Sequence, residues 1–400
     1  MEIPKEIRDI AQKMKKAGFD AYLVGGCVRD LILGRSVRDW DFTTNALPED
    51  IQKIFPESFY ENKFGTVSVK TGSEMEALKI VEITPYRVES QYQDKRHPDE
   101  IKFTKTLEED LKRRDFAVNA LVLSEVEGIA KIIDLFNGQK DLKEKIIRTV
   151  GNPEERFNED ALRLMRAIRF ATELNFAIEE NTKKAIKKLA VSLEFISKER
   201  IRDEFEKIIM AQKAVWGVEL LTDLGLLQYV APELMEGIGV IGVTKKKKGH
   251  IKYEELSVFE HNLKTLDYAA QQNFNLETRL AALLHDLGKP RTKRGEGLEA
   301  SFMCHEQVGA RMAIQVLERL HFSKKVIEKT VGLVRWHFFF YNVDEVTEAG
   351  VRRLIRRVGS ENIQDLLSLR EADRSGSGLP KISSYRLKHL RYMIERVSHD

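Results

Sequence analysis

The apolar positions of the first 150 residues alternate between helical and strand-like spacing. Residues 4–17 carry apolar side chains at helical spacing, and Gly18 ends this predicted helix. Strands are predicted at residues 21–24, 37–43, 66–70, 78–84, 100–103 and 129–134, and further helices at 28–33, 48–54 and 114–121. The pattern therefore predicts a mixed domain of strands and helices over residues 1–150.

The pattern becomes almost entirely helical after Val150. Amphipathic helices are predicted at residues 159–174, 180–189, 198–211 and 214–221. The basic segment 244–250 marks a second boundary, either as a flexible loop or as an RNA-phosphate contact. We therefore predict an α+β chain: a small mixed sheet with helices at 1–150, an all-α region at 151–245, and a helical domain at 250–400.

Composition narrows the class of protein. A chain of 400 residues is too long for one core and suggests roughly two to four domains. Its net charge is only +3, so a polyanionic partner would have to meet local basic patches. The two cysteines form no Cys-x-x-Cys pair, and no apolar run is long enough to span a bilayer. We expect a cytoplasmic protein without disulfides or membrane contact.

The first candidate site combines a Gly-Gly turn with two aspartates. Asp39 and Asp41 are two residues apart, so on a strand both would face the same side and bind the same pair of hard divalent ions. This arrangement suits two-metal nucleotidyl transfer. Gly25 and Gly26 leave room for a triphosphate beside the backbone, and Arg29 offers donors to it. An ordinary turn with two solvated aspartates is the alternative, but the order of these parts favours a functional site.

Two later segments add arginines. Asp115 suits a helix N-terminus, where Arg113 or Arg114 could hold a triphosphate. On the predicted helix 159–174, a stripe of charged residues has either of two meanings. It is a solvated face, or it pairs with the hydrogen-bonding edge of a nucleotide base. The members of this stripe are Asp160, Arg163, Arg166 and Arg169.

Together these motifs resemble the class II tRNA nucleotidyltransferases, the family of CCA-adding enzymes and bacterial poly(A) polymerases. The matching segments are LVGGCVRD at 23–30 with Asp39-Trp-Asp41, RRDFAVNA at 113–120, EDALRLMRAIRF at 159–170 and KERIRDEF at 198–205. They follow the family order over about the first half of the chain. The resemblance implies template-independent addition of CCA to tRNA 3′ ends from CTP and ATP, with Mg²⁺.

The resemblance also assigns roles to residues. Asp39 and Asp41 would hold the magnesium ions, and Asp160 with Arg163 would form the template that selects CTP and then ATP. The positions expected to contact the nucleotide are Gly26, Arg29, Arg114, Arg166 and Arg169. Glu82, on the predicted strand 78–84, is a candidate third carboxylate.

Neighbouring activities stay open. The polar segment 86–99 resembles the loop that family members adding only CC lack, which favours a switch to ATP. The basic signature of poly(A) polymerases is absent after the first motif, where residues 62–69 read NKFGTVSV instead. CCA addition is favoured, and an enzyme that adds only the terminal A, or a poly(A) polymerase, is the alternative.

The second half carries six histidine and aspartate positions that resemble an HD metal-dependent phosphohydrolase domain. They are His261, His285, Asp286, His305, His337 and Asp373. The resemblance gives His261, His285, Asp286 and Asp373 as the minimal ligands, and such donors suit manganese, nickel, iron or zinc. It also implies phosphatase or cyclic phosphodiesterase activity on tRNA ends. An HD phosphohydrolase with a degenerate N-terminal domain is the alternative from another enzyme class, and a noncatalytic RNA-binding protein is a third.

Overall fold

The structure of the chain is a computed structural model. It describes residues 2–61, 65–90, 100–126, 129–243, 256–296, 299–339, 343, 346–377 and 385–398. Most of the polar segment 86–99, the start of the 62–69 segment and the whole basic segment 244–250 therefore lie outside the described residues. The chain divides into two compact units, residues 1–195 and 196–400.

The first unit is built around a seven-stranded mixed sheet. Its strands are β1 Tyr22–Val24, β2 Trp40–Thr44, β3 Ser58–Glu61, β4 Thr66–Lys70, β5 Ile80–Pro85, β8 Val122–Val126 and β9 Ile129–Ile133, in the order β3-β4-β5-β2-β1-β8-β9. Strands β2 and β5 run parallel, and the other neighbours in this sheet are antiparallel. Strands β6 Arg87–Ser90 and β7 Glu100–Phe103 form a separate antiparallel pair. Because Val81 and Ile83 are buried, the intervening Glu82 points to the other, more open face.

Nine helices accompany this sheet in the described part of the first unit. They are α1 Lys5–Lys16, α2 Gly26–Ile32, α3 Pro48–Ile54, α4 Glu76–Lys79, α5 Leu107–Lys112, α6 Gly138–Glu144, α7 Pro153–Glu159, α8 Leu162–Leu174 and α9 Glu180–Leu189. Short strands β10 Ile146–Ile147 and β11 Ala177–Ile178 pair in parallel. Helix α8 buries most of its length, including Leu164, Met165 and Ile168, so its few polar side chains are held against neighbouring segments.

Two predicted helices were wrong in detail. Over residues 114–121 there is only a 3-10 turn at Ala117–Asn119, because the Asp115 carboxylate binds the backbone N–H of Phe116 and the side chain of Asn119. Over residues 159–174 the helix is interrupted. Asp160 is extended, with φ −139°, and its side chain accepts a hydrogen bond from the backbone of Leu162 at 3.0 Å, so the second helix begins there.

The second unit is almost entirely helical where it is described. Its helices are α10 Lys198–Met210, α11 Ala214–Asp223, α12 Leu227–Val230, α13 Val258–Gln271, α14 Leu276–Leu284, α15 Lys289–Thr292, α16 His305–Arg319, α17 Lys324–Trp336, α18 Glu348–Val358, α19 Ile363–Gly376 and α20 Tyr385–Ser398. Two short antiparallel pairs interrupt them, β12 Ile241–Val243 with β13 Leu256–Ser257, and β14 Lys293–Arg294 with β15 Ser301–Phe302.

A buried arginine fastens the helices of this unit together. Arg279 on α14 is 2% exposed and donates hydrogen bonds to four backbone carbonyls. The acceptors are Ile209, Ala211, Ala270 and Phe274, at 2.9 to 3.3 Å. Three of these carbonyls belong to the ends of α10 and α13, and that of Phe274 lies in the turn before α14, so one side chain joins both helix ends to α14.

The predicted fold class is confirmed: a mixed sheet with helices precedes a helical C-terminal region. Among the described helices, none combines the length and the apolar character needed to cross a membrane.

Candidate active site and metal centre

The Gly-Gly turn brings a strand, a helix and an arginine together. Gly25 follows β1 and precedes α2 with φ +82° and ψ −133°, a conformation that favours glycine, and its N–H donates to the Leu121 carbonyl at 3.1 Å. A Cβ at Gly25 would lie 3.2 Å from Nη1 of Arg114. The missing side chain therefore lets the Arg114 guanidinium approach the start of α2.

Three carboxylates meet beside this turn. Asp41 on β2 stands opposite Glu82 on the parallel strand β5, and Asp39 lies immediately before β2. Burial raises the pKa of Asp41 to about 6, with Glu82 and Asp39 adding to the rise and Arg114 opposing it. Clustered carboxylate oxygens are the ligands that Mg²⁺ prefers, so this donor set fits the metal that the sequence implied.

The thiol of Cys27 contacts the backbone of two strands beside the turn. Its buried Sγ lies 3.3 Å from the carbonyl oxygen of Val24 and 3.8 Å from that of Asp41. Burial, together with the Asp41 charge, raises the pKa of this thiol to about 12. Cys27 is therefore a neutral donor that links α2 to the strand carrying Asp41.

Three of the predicted nucleotide-binding arginines lie beside one aromatic ring. The guanidinium carbons of Arg29, Arg166 and Arg169 lie 5.4, 5.3 and 4.0 Å from the centre of the Phe170 ring. Arg29 also donates to Asp30 and, at 2.8 Å, to Asn119. Phe170 was not predicted as a site residue, since nothing in its position on a buried helix distinguishes it from a core residue.

Asp115 holds Arg166 in place. Its carboxylate accepts from Nε and Nη2 of Arg166 at 2.8 and 2.6 Å. Burial alone would raise the pKa of Asp115, but Arg166, Arg163 and the backbone N–H of Phe116 together outweigh burial and lower it to about 2. Asp115 is thus an ionised, buried partner that fixes the direction of Arg166. The sequence indicated only a helix N-terminus at this position.

The two residues predicted to form the nucleotide template lie at the α7–α8 junction. Arg163 donates to Glu159 Oε2 at 2.6 Å and to the backbone carbonyls of Arg156 and Arg113 at 3.1 and 3.0 Å. Asp160 occupies the extended break between the helices. Arg163 is thereby anchored to the segment that carries Arg114, whereas the Asp160 side chain accepts from the backbone of Leu162.

The six histidine and aspartate positions of the second unit form one buried cluster. His261 on α13 and His285 at the end of α14 bring their Nε2 atoms within 3.1 Å of each other. Asp286 Oδ2 lies 3.5 and 3.3 Å from these two atoms, and Asp373 Oδ1 on α19 lies 3.2 Å from His261 Nε2. The structure therefore brings together the four residues that the resemblance to an HD domain implied as minimal metal ligands.

His305 and His337 complete the cluster on its other side. His305 begins α16, His337 follows α17, and their Nε2 atoms lie 3.5 and 3.7 Å from Asp286 Oδ1. Lys289 places its ammonium 2.6 Å from Asp286 Oδ2. All six positions are thus within one group, in which Asp286 is central.

The protonation of His305 and His337 suits metal ligands. Burial would lower the pKa of His285, but the neighbouring Asp286 and Asp373 carboxylates raise it. Burial lowers the pKa of His305, and burial together with the His285 charge lowers that of His337 to about 3. Burial would raise the pKa of Asp286, but His285 and Lys289 hold it well below its usual range. Neutral imidazoles with ionised carboxylates are the forms that bind a transition metal.

The fold and these two sites define a nucleotidyltransferase-type head followed by a helical domain with a cluster of potential metal ligands. Domain-family models match in the same order: the poly A polymerase head domain at residues 21–148, the probable RNA and SrmB binding site of polymerase A at 175–238, and the HD domain at 258–375. The resemblance to the class II tRNA nucleotidyltransferase family with a C-terminal HD domain is therefore confirmed.

The chain is similar to proteins named CCA-adding enzyme. It is 48% identical to the one from Lactobacillus helveticus over 222 residues, which is 55% of this chain and 54% of that protein. It is 44% identical to the one from Geobacillus stearothermophilus over 227 residues, 56% of this chain and 54% of that protein. The matched region thus spans about half the length of these curated relatives.

Solved structures extend the likeness over the whole chain. The Bacillus stearothermophilus CCA-adding enzyme in complex with CTP aligns with a TM-score of 0.72 and 29% identity, covering 99% of this chain and 82% of that one. The Thermotoga maritima CCA-adding enzyme complexed with tRNA aligns with a TM-score of 0.57 and 19% identity, covering 98% and 82%. The second likeness is one of fold alone.

Proposed function

We propose that the chain adds C, C and A, without a nucleic-acid template, to the 3′ end of tRNA from CTP and ATP. The observation that carries this proposal is the group of three carboxylates, Asp39, Asp41 and Glu82, beside the turn at Gly25. A protein that only bound RNA would have no use for clustered carboxylates next to a Gly-Gly turn that Arg114 approaches. Relatives named CCA-adding enzyme, and a similar structure with CTP, support the choice of reaction and nucleotide.

In this proposal Asp39 and Asp41 hold the Mg²⁺ ions, with Glu82 as a neighbouring carboxylate. Magnesium supplies activation of the tRNA 3′ hydroxyl and neutralisation of the pyrophosphate leaving group. Gly26 leaves the backbone open to the triphosphate. Arg114, beside the turn, binds phosphate oxygens as a cation with planar donors.

The remaining predicted residues position the nucleotide. Arg29, Arg166 and Arg169 surround the Phe170 ring and contact the nucleotide from α2 and α8. Asp160 and Arg163 present an acceptor and a donor to the base edge, which selects CTP and then ATP. The anchoring of Arg163 by Glu159 supports this role, because a selective hydrogen bond requires a fixed direction.

The decisive experiment uses tRNAs that end before CCA, after C, and after CC. Incubation of the full chain with Mg²⁺ and labelled CTP or ATP should extend the first two with CMP and the third with AMP. Incorporation of AMP alone, onto tRNA ending in CC, would restrict the function to A addition. Absence of any 3′ incorporation would rule out the proposal. Asp39→Ala with Asp41→Ala should abolish transfer, whereas Asp9→Asn, at an exposed position on α1, should not.

A second candidate function belongs to the HD domain. The observation that favours it is the convergence of His261, His285, Asp286 and Asp373, which we propose as ligands of one manganese, nickel, iron or zinc ion. Such a site suits hydrolysis of phosphoesters, including those at damaged tRNA ends. Hydrolysis of a 2′,3′-cyclic nucleotide should survive the Asp39→Ala, Asp41→Ala change and be lost on His285→Ala.

The cytoplasmic location stays a prediction.

A further inference from the structure

A buried carboxylate to which no motif assigned a role is bound to the strand β2. Asp110, on α5, is 0% exposed. Its Oδ1 accepts from Nε and Nη2 of Arg113 at 3.0 and 2.6 Å, and from the backbone N–H of Arg87 at 3.4 Å. Its Oδ2 accepts from Oγ1 of Thr43 at 3.1 Å and from Nη2 of Arg114 at 3.5 Å. One carboxylate thus joins α5 to β2 and to two neighbouring arginines.

The Asp110 carboxylate keeps its charge in spite of its burial. Burial would raise the pKa of this group, but the charges of Arg114 and Arg113 outweigh burial, with help from the hydrogen bonds of Arg113 and Thr43. The pKa of Asp110 is therefore below its ordinary value. Hydrogen bonds to an ionised carboxylate are stronger than those between neutral groups, so Asp110 can fix the direction of an arginine side chain.

The two arginines use Asp110 differently. Arg113 makes two hydrogen bonds to Oδ1, whereas Arg114 makes a single contact of 3.5 Å with Oδ2. The other end of the Arg114 guanidinium faces the turn, where a Cβ at Gly25 would lie 3.2 Å from its Nη1. Nε of Arg114 is buried and has no hydrogen-bond partner within the described part of the chain. Arg114 therefore has donors that Asp110 does not use.

The charge of Arg114 acts on two groups of carboxylates. It lowers the pKa of Asp110 and opposes the rise in the pKa of Asp41. Thr43, which donates to Asp110, is two residues from Asp41 on β2, so both side chains face the same side of the sheet. Among the described residues, Arg114 forms its ion pair with Asp110 and not with Asp41. A guanidinium released from Asp110 could pair with Asp41 instead, where it would compete with a metal ion.

We propose that Asp110 is a positioning residue, which holds the Arg114 guanidinium toward the Gly25 turn and away from Asp41. Asp41 then stays open to Mg²⁺, and Arg114 stays open to the triphosphate. This proposal rests on the nucleotidyl transfer proposed above. If Asp110 only stabilised the fold, its loss would alter neither the Mg²⁺ requirement nor the binding of nucleotide.

The test uses Asp110→Asn in the full chain, which keeps the shape of the side chain and removes its charge. In assays of nucleotide addition, the Mg²⁺ concentration that gives half the maximal rate should rise about 10-fold. The KM for CTP and for ATP should rise together, and kcat at saturating Mg²⁺ and nucleotide should change less. Calorimetric titration with CTP and Mg²⁺, without tRNA, gives a readout free of turnover, and the Kd for CTP should rise about 10-fold as well.

The matched control is Asp141→Asn. Asp141, on α6, is likewise a buried carboxylate that pairs with an arginine, since its Oδ2 lies 3.2 Å from Nε of Arg148. This variant should lower the free energy of unfolding in urea without changing the Mg²⁺ requirement or the Kd for CTP. Equal changes in Asp110→Asn and Asp141→Asn would overturn the proposal.

A double substitution tests whether Asp110 acts through Arg114. In the Arg114→Gln background the guanidinium is absent, so adding Asp110→Asn should change neither the Mg²⁺ requirement nor the Kd for CTP any further. A further rise as large as the one in the unsubstituted chain would show that Asp110 does not act through Arg114.

If Asp110→Asn does not fold, Thr43→Val provides the measurement, because it removes only the hydroxyl that fixes Oδ2. It should raise the Mg²⁺ requirement in the same direction but by less. Unchanged Mg²⁺ requirement and CTP binding in the folded variant would overturn the role of Asp110 alone. If the unsubstituted chain adds no nucleotide, the proposed function fails, and the Kd for CTP still decides the role of Asp110. No binding of CTP at all would overturn both.

Discussion

Asp41 and Glu82 stand opposite each other where β2 and β5 run parallel, so two carboxylates share one face of the sheet. Two negative charges on directly paired residues of neighbouring strands are unfavourable unless a cation lies between them or one carboxylate is protonated. Their pairing, rather than either residue alone, distinguishes this edge of the sheet from an ordinary solvated strand.

The role of Glu82 can be tested by Glu82→Gln, which keeps the shape and removes the charge. We expect transfer to fall about 10- to 100-fold, the range usual for groups that support a metal ligand, and to require more Mg²⁺. Initial rates over a Mg²⁺ titration measure this. Glu74→Gln, an exposed position before α4, is the control and should leave the titration unchanged. Equal curves for Glu82→Gln and the unsubstituted chain would exclude Glu82 from the site.

A second prediction concerns the substitution Gly25→Ala in the Gly-Gly turn. At φ +82° an alanine should cost about 1 to 3 kcal/mol of stability, and its Cβ would displace Arg114. We therefore expect both a lower free energy of unfolding in urea and a higher KM for CTP and ATP. Gly34→Ala is a matched control, because Gly34 has φ +66° but no atom within 4 Å of the added Cβ. It should show the stability loss without the KM change, and equal KM changes in both variants would contradict the role of Arg114.

The ion pair of Asp115 and Arg166 predicts a pH dependence. The pKa of Asp115 is lower in the folded chain, about 2, than its ordinary value of 3.8, so the pair stabilises the fold above about pH 4. This contribution, about 2 kcal/mol, should be lost as the pH falls from 4 towards 2.

Urea unfolding of the Asp115→Asn variant measures the contribution of this ion pair to the free energy of unfolding. The variant should be less stable than the unsubstituted chain at pH 7, and the gap should narrow below pH 4. Asp203→Asn removes an exposed partner of Arg202 and should cost far less. A gap that is constant from pH 7 to pH 2 would show that the ionised pair is not what stabilises the fold.

We expect removal of the Phe170 ring to weaken the binding of both CTP and ATP. Phe170→Leu keeps an apolar core residue but removes the ring beside Arg29, Arg166 and Arg169. We expect a severalfold higher KM for both nucleotides, since each cation–π contact contributes about 0.5 to 1 kcal/mol at a partly exposed site. Phe176→Leu, a similarly buried aromatic change just beyond α8, should alter stability but not KM. Unequal effects on CTP and ATP would assign Phe170 to base selection instead.

The sequence predicted the elements whose ends carry local signals. Helices α3 and α9 have the predicted bounds, and Pro48 at the first turn of α3 is such a signal. The prediction of helices failed where a side chain competes with the helix for backbone groups, as Asp115 and Asp160 do. Apolar periodicity does not record such bonds, because they depend on the local direction of a single carboxylate.

The candidate sites were predicted by residue but not by arrangement. The six histidines and aspartates of the HD cluster were all found from the sequence, yet their division into two sets around Asp286 depends on how α16 and α17 pack. The pairing of Asp115 with Arg166 and the position of Phe170 beside three arginines were not predicted, for a similar reason. Each matters through an arginine elsewhere in the chain or on the next turn, which no single motif states.

Cys27, locked between two backbone carbonyls and kept protonated, should be inert to maleimides. The chain's other cysteine, Cys304, is exposed and directly precedes His305. A fluorophore or nitroxide can therefore be attached at one chosen point without engineering any cysteine away. A probe there would report on the histidine cluster, and the proposed nucleotide addition could be assayed on the same labelled chain.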